Sequence, residues 1–251
     1  MFDLSGRTIV VTGGNGGIGL GLARGVARAG AQVAIWARNA EKSQQAKKEL
    51  EEIGAKVLTL SCDVAKEEDI LAAIDTTVSH FGRIDACFAN AGYGAPGDPL
   101  KLSLEAWREL LSVNLDGAFL TLRCVANQMI EQGDGGKLIA ISSMVENFAS
   151  PMQAHYAAGK AALGSLVKTL AVRLARYDIQ VNSIQPGWII TDATARVSES
   201  KVMNEVLMKR IPARRWGDPK EFEGIAVYLA SDESSYHTGD TILIDGGYTI
   251  F

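Results

Sequence analysis

The chain reads as an α/β protein: a parallel sheet with helices packed on both faces. Three observations predict this. Short apolar runs alternate with longer helical runs four times before residue 92. The early runs, such as Arg7–Thr12 and Ile84–Ala89, are apolar almost throughout, as strands buried on both faces are. The length, 251 residues of which 47% are apolar, suits one large domain spanning residues 1–251.

Arg7–Thr12 (RTIVVT) is the first buried strand. The loop Thr12-Gly13-Gly14-Asn15-Gly16-Gly17-Ile18-Gly19 follows, then a helical run to Ala29. Glycines here permit a tight turn and let a pyrophosphate approach a helix N-terminus. The spacing Gly13-x-x-x-Gly17-x-Gly19 differs from G-x-G-x-x-G, but the strand before it and the helix after it mark a dinucleotide loop rather than a purely structural turn. Gln32–Ala37 is the second strand, and Arg38 and Asn39 follow at once. An acid at this strand end would bind ribose hydroxyls, whereas an arginine can pair with a 2′-phosphate. No acid appears before Glu41, so Arg38 reads as a phosphate contact more than as an ordinary solvated charge.

Glu41–Ile53 is a charged amphipathic helix, Lys56–Ser61 a third strand and Glu67–Phe81 a helix with an acidic start that suits its dipole. The fourth strand, Ile84–Ala89, runs into Asn90-Ala91-Gly92. Asp63, followed by Val64, and Asn90 both lie just past strand ends, on the ligand side of such a sheet. Asp63 suits an adenine amino group; Asn90 suits either a ligand contact or a backbone tie between strands. Leu104–Gln132 reads as one long helix with Asn114 in its apolar middle, which requires a partner or a kink. Ile179–Ile184 is a sixth strand leading into Pro186-Gly187, a turn signal. Residues 192–212 have weak periodicity and read as a helical lid. Pro219–Ala230 is a helix with proline at its start, and Thr241–Ile244 a last strand.

Composition excludes several classes. A net charge of −4 gives no basic field for nucleic acid or an anionic membrane. Cys62, Cys87 and Cys124 have no metal-ligand spacing, so no metal site is expected, and they suit a reducing compartment. The start MFDLSGRTIVVTGG has no secretory pattern and no apolar run is long enough to span a bilayer, so a cytoplasmic protein is expected.

The stretch Ile141–Lys160 (ISSMVENFASPMQAHYAAGK) carries the chemistry. Tyr156 and Lys160 are four residues apart at a helix start and project from one face. Ser142 and Ser143 end the fifth strand, so a hydroxyl, a phenol and an ammonium converge where open parallel sheets bind ligands. A phenol acting as a base near pH 7 needs its pKa lowered by about 3 units, and a neighbouring ammonium works in that direction.

Taken together, these motifs resemble the short-chain dehydrogenase/reductase family over nearly the whole chain. TGGNGGIG at residues 12–19 is similar to its glycine motif, and Asn90-Ala91-Gly92 to its N-A-G, with Ala89 in place of the more usual first asparagine. Asn114, Ser143, Tyr156 and Lys160 match its catalytic tetrad, the 13-residue step from serine to tyrosine selecting Ser143 over Ser142. Asn182, Pro186, Gly187 and Thr191 match the motif after strand six. The resemblance implies a Rossmann-type, doubly wound, seven-stranded parallel sheet in three α/β/α layers. It implies hydride exchange between a nicotinamide and a ketone or secondary alcohol, with Tyr156 as acid/base, Lys160 lowering its pKa and holding the nicotinamide ribose, Ser143 bonding the substrate oxygen and Asn114 positioning a water. It implies cofactor contacts at Gly13, Asn15, Gly16, Gly17, Ile18, Gly19, Arg38, Asn39, Asp63, Val64, Asn90, Ala91, Gly92, Tyr156, Lys160, Pro186, Gly187, Ile189 and Thr191. Gly16 stands where one NADP-preferring subgroup carries a base; Ala37-Arg38 instead resembles the subgroup that reads the 2′-phosphate after strand two. NADP(H) is therefore expected over NAD(H), which stays possible.

For the substrate, Ser143, Met144, Phe148, Met152, Gln153, Tyr156 and Trp188 are the candidate pocket residues, with Asn147 and His155 beside them. Their apolar and aromatic character favours an uncharged ketone or alcohol. A 3-oxoacyl thioester reductase is an alternative, weakened because Glu131-Gln132-Gly133-Asp134 lacks the basic surface an acidic carrier protein would need. The C-terminal TILIDGGYTIF also resembles relatives acting on sugar acids and polyols. A non-catalytic dinucleotide sensor is a remote alternative, since all four tetrad residues are present. The resemblance further implies a homotetramer paired through Leu104–Gln132, Ala157–Arg176 and the C-terminal helix and strand, with Phe119, Leu163 and Leu170 as outward contacts.

Overall fold

The computed structural model describes residues 1–251. Seven strands form one sheet: β1 (Thr8–Thr12), β2 (Gln32–Trp36), β3 (Val57–Leu60), β4 (Ala86–Ala89), β5 (Gly136–Ile141), β6 (Ile179–Pro186) and β7 (Thr241–Ile244). Every pairing is parallel and the order is β3-β2-β1-β4-β5-β6-β7. The order reverses between β1 and β4, so their C-terminal ends diverge into a crevice. β6 runs two residues further than its apolar pattern suggests, because Gln185 and Pro186 still pair with Leu243 and Ile244.

The strand pleat sends alternate residues to opposite faces, and each face has its own core. On one side, Val10, Cys87 and Leu138 pack with α3 (Glu67–Phe81), α5 (Ala118–Gln132) and α6 (Ala154–Leu174). On the other, Ile9, Val11 and Phe88 pack with α1 (Gly17–Arg28), α2 (Ala40–Glu52) and α9 (Glu223–Ala230). Three helices thus cover each face, as the resemblance implied. Leu163 is wholly buried in the first core and is unavailable as an outward contact, which corrects the reading above. Phe119 is 38% exposed.

The long run from Leu104 is not one regular helix. It divides into α4 (Leu104–Leu111), a π-helical turn Ser112–Gly117 and α5. The π turn contains Asn114, so the kink that a buried amide required is present. Residues 192–212 contain α7 (Ala195–Ser198) and α8 (Lys201–Arg210). Trp216 Nε1 donates to Asn204 Oδ1 of α8 at 2.6 Å, and Lys42 of α2 pairs with Asp192 at 2.5 Å. No helix is long and apolar enough to cross a membrane.

Candidate active site

The crevice lies at the C-terminal edge of β1, β4, β5 and β6. On its β1 side, Gly13 and Gly17 hold positive φ angles of 64° and 51°. A Cβ on Gly13 would come within 3.1 Å of Asn90 Nδ2 and 3.2 Å of Ala91 Cα, so the loop must be bare. Thr12 Oγ1 accepts the backbone N–H groups of Asn90 and Ala91, both at 2.9 Å, and Asn90 Nδ2 donates to the Thr12 carbonyl at 2.9 Å. Asn90 therefore stitches β4 to the glycine loop, and it also lines the crevice. Asn15 Nδ2 donates to the Asn39 carbonyl and to Ser43 Oγ, and Asn39 Oδ1 caps α2 through Lys42 N at 2.9 Å.

These residues fit a dinucleotide. The N-terminus of α1 has no side-chain cap and no acid in its first turn, so its N–H groups and dipole face the crevice unopposed. A Cβ on Gly16 would meet nothing within 4 Å, which leaves the approach open. One cavity of about 460 Å³ is lined by Ala37, Arg38, Asn39, Asp63, Val64, Tyr93 and Val113, a setting for an adenosine. A second of about 370 Å³ is lined by Gly16, Gly17, Ile18, Gly19, Ser143, Tyr156, Lys160, Pro186, Gly187, Ile189 and Thr191. The two share Gly13, Asn15, Ala91, Gly92 and Tyr93 and form one continuous groove. Arg38 is exposed on the first, and no acid stands between it and the end of β2.

Three of the tetrad residues, Ser143, Tyr156 and Lys160, line the second cavity, and Asn114 lies behind it against Gly92. Ser143 follows β5 and caps a 3₁₀ turn, Met144–Glu146, where Val145 N donates to its hydroxyl at 3.4 Å. The Ser142 hydroxyl instead donates to the Lys160 carbonyl at 3.1 Å, so Ser143 is the serine whose hydroxyl stands beside the Tyr156 phenol. Lys160 is buried, and its Nζ donates to the Ile141 carbonyl at 2.6 Å while standing 5.8 Å from the centre of the Tyr156 ring. Burial pushes the Lys160 ammonium down to about 8, partly offset by the Glu146 carboxylate. Burial also pushes the Tyr156 phenol up, and the Ser143 hydroxyl beside it pulls it back. In this geometry Lys160 Nζ is turned to the Ile141 carbonyl, and the groups acting on the phenol are its burial and the Ser143 hydroxyl.

Two features were not legible in the sequence. Asn114 spends both ends of its amide on one neighbour: Oδ1 accepts from Tyr93 N at 3.0 Å and Nδ2 donates to the Tyr93 carbonyl at 2.8 Å. Any water near Asn114 would depend on the kinked backbone rather than on this side chain. Behind Ser143, Glu146 accepts from Gln185 Nε2 at 2.7 Å through one oxygen, while its other oxygen is buried without a partner. Burial raises this carboxyl to about 7, against smaller lowering effects from Gln185, Lys160 and Lys168. Glutamates are common in turns, so nothing in the pattern marked this one.

Of the candidate substrate residues, Ser143 and Tyr156 line this cavity, while Met144, Phe148, Met152, Gln153 and Trp188 lie outside its lining. Met144, Phe148 and Trp188 form an apolar cluster with Leu207, Ile211 and Tyr248 under the lid helix α8. Arg210 of α8 stacks on the Phe148 and Tyr248 rings, 5.5 and 4.4 Å from their centres. Trp188 Nε1 is buried without a partner. Met152 is half exposed, and Gln153 accepts from the Ser150 hydroxyl at 2.9 Å. His155 is buried against Gly97, and its Nδ1 accepts from Tyr156 N at 3.0 Å, so it serves the helix start rather than the surface.

A bare phosphate loop, a switch-point groove and a serine–tyrosine–lysine cluster on one sheet edge define a nucleotide-dependent oxidoreductase of the short-chain dehydrogenase/reductase family, and the chain belongs to that family. It is an NAD(P)-dependent enzyme that interconverts secondary alcohols and ketones. The family profile described as enoyl-(acyl carrier protein) reductase matches residues 13–249. Gluconate 5-dehydrogenase of Gluconobacter oxydans is 36% identical over 250 residues, covering 100% of this chain and 97% of that protein. The crystal structure of a gluconate 5-dehydrogenase from Burkholderia cenocepacia in complex with NADP and tartrate has a TM-score of 0.94 and 38% identity, covering 100% of this chain and 98% of that one. A short-chain type dehydrogenase/reductase from Mycobacterium marinum has a TM-score of 0.95 and 38% identity, covering 99% and 97%.

Proposed function

We propose an NADP(H)-dependent dehydrogenase that acts on a secondary hydroxyl of a sugar acid or polyol, or reduces the corresponding ketone. The observation that carries the reaction is the convergence of Ser143, Tyr156 and Lys160 on the cavity that also contains Thr191 and the glycine loop. The substrate class rests on the relatives: besides the gluconate 5-dehydrogenase, the 5-keto-D-gluconate 5-reductase of Escherichia coli is 34% identical over 250 residues. The uncharged-ketone reading retains the apolar wall of Met144, Phe148 and Trp188 in its favour. Arg210 above that wall supplies a cation that suits a carboxylate-bearing substrate.

The nicotinamide, when bound, exchanges a hydride with the carbinol carbon. Ser143 donates a hydrogen bond to the substrate oxygen and orients it toward the phenol. Tyr156 takes the hydroxyl proton during oxidation and returns it during reduction. Lys160 keeps positive charge near the phenol and holds ribose hydroxyls. Asn114 fixes the turn carrying Gly92 and Tyr93, and so shapes the cavity rather than touching substrate. Gly13, Asn15, Gly16, Gly17, Ile18 and Gly19 cradle the pyrophosphate; Asp63 and Val64 flank adenine; Ile189 and Thr191 hold the carboxamide. Arg38 pairs with the 2′-phosphate. The segment 192–212 acts as a lid on a single domain, with the Lys42–Asp192 pair as its exposed latch. The protein is a cytoplasmic homotetramer in this reading, and light scattering at micromolar concentration tests that assembly.

A panel of gluconates, their keto forms, polyols and neutral ketones, followed by absorbance of NADPH and NADH, tests the proposal. Turnover of sugar acids or polyols with NADP(H) is expected. Efficient turnover of neutral ketones alone would move the assignment to the second reading.

A further inference from the structure

Tyr93 is a wall of the groove with no role so far. It lines both halves, together with Gly13, Asn15, Ala91 and Gly92. The glycines and Ala91 offer only backbone, and the Asn15 amide is bonded to α2. Tyr93 alone among the five brings a hydroxyl, and no side chain of the protein hydrogen-bonds it. Its position is fixed from behind: both backbone polar groups are clamped by the buried Asn114 amide at 3.0 and 2.8 Å. Arg38 shares the adenosine cavity with it. Burial pushes the phenol's pKa up, Glu109 of α4 adds to that, and Arg38 draws it down.

We propose that Tyr93 is a second reader of the adenosine end of the cofactor, its ring closing the groove opposite Arg38 and its hydroxyl donating to the 2′-substituent of the ribose. The inference rests on the NADP(H) reading above. A phosphate presents more acceptor oxygens than a bidentate guanidinium can satisfy, which leaves room for a phenol. The bond would be charge-assisted with a 2′-phosphate and ordinary with a 2′-hydroxyl, so it discriminates in the same direction as Arg38. Asn114 would then position the phenol by holding its backbone, linking the π turn to cofactor choice.

The test is fluorescence titration of the parent and Tyr93→Phe with NADPH and NADH. Phenylalanine keeps the ring and the backbone clamp, so folding is not at stake. Tyr93→Phe is expected to weaken NADPH by about tenfold and NADH by less than roughly twofold. A parent that prefers NADPH, with Tyr93→Phe binding it as tightly, overturns this inference alone and leaves Tyr93 as an apolar wall. A parent that binds NADH as tightly as NADPH overturns the cofactor reading and this inference with it.

Discussion

Glu146→Gln should make the protein more stable at pH 8 and leave it unchanged near pH 5. The Glu146 carboxyl is raised from 4.5 to about 7, chiefly because burial disfavours its charge. A raised folded-state pKa means that the favourable neutral form is fully present below the unfolded value. That contribution is lost as pH climbs from about 4.5 through 7, where the unfolded chain has already released the proton. The difference of about 2.5 units would correspond to roughly 3 kcal/mol for a wholly buried group; Glu146 is only half-buried, and solvent screening cuts this to about 1–2 kcal/mol above pH 7. Glutamine cannot ionise, and its oxygen can still accept from Gln185. Its amide nitrogen would replace a buried oxygen that has no partner now, so one unmet group replaces another. Thermal melts of both proteins from pH 5 to pH 8 provide the assay. The melting temperatures should nearly coincide at pH 5 and separate by roughly 3–6 °C at pH 8. Coincident curves at pH 8, or a less stable variant there, would refute the claim that the fold holds this carboxyl neutral.

The same variant carries a kinetic prediction. Without the Glu146 carboxylate, Lys160 loses the one charge that raises its pKa, so the alkaline limb of kcat/KM should move to lower pH; an unmoved limb would separate Lys160 ionisation from activity. Arg38→Ala should cost NADP(H) about ten- to a hundred-fold in affinity, and Ala37→Asp should move preference toward NAD(H), both read from kcat/KM for the two cofactors. Gly21→Ala should destabilise the protein by about 1–3 kcal/mol in denaturant titrations, because its Cβ would overlap the Pro219 carbonyl where α1 meets the turn before α9.

The sheet was legible because its strands are continuously apolar and its helices are not. The runs around Val10, Ile35 and Phe88 are short, apolar and bounded by glycine or polar residues, which suits strands buried on both faces, and all three residues are fully buried. Tyr156 and Lys160 were legible because one helical turn fixes their relation. Elements joined by distant contacts were not. The π turn is anchored through Asn114 to a residue 21 positions away, so the run from Leu104 reads as one uninterrupted helix in sequence. Leu163 faces the core because α6 packs on β6, and helical periodicity alone does not say which apolar stripe looks outward. Glu146 owes its burial to Gln185, from another strand, and to Gly164, where a Cβ would lie 2.9 Å from its oxygen. Met144, Phe148 and Trp188 meet under the lid helix, a contact between segments about 40 residues apart that no local pattern shows.

The central claim is that Tyr156 moves the proton in the groove where the cofactor sits. Tyr156→Phe removes only the phenolic oxygen, so the groove and its glycine loop stay intact. Turnover of the best substrate should fall by about 10²-fold or more, while the Kd for NADPH measured by fluorescence stays near the parent value. Near-parent turnover by a folded, cofactor-binding Tyr156→Phe protein would contradict the account.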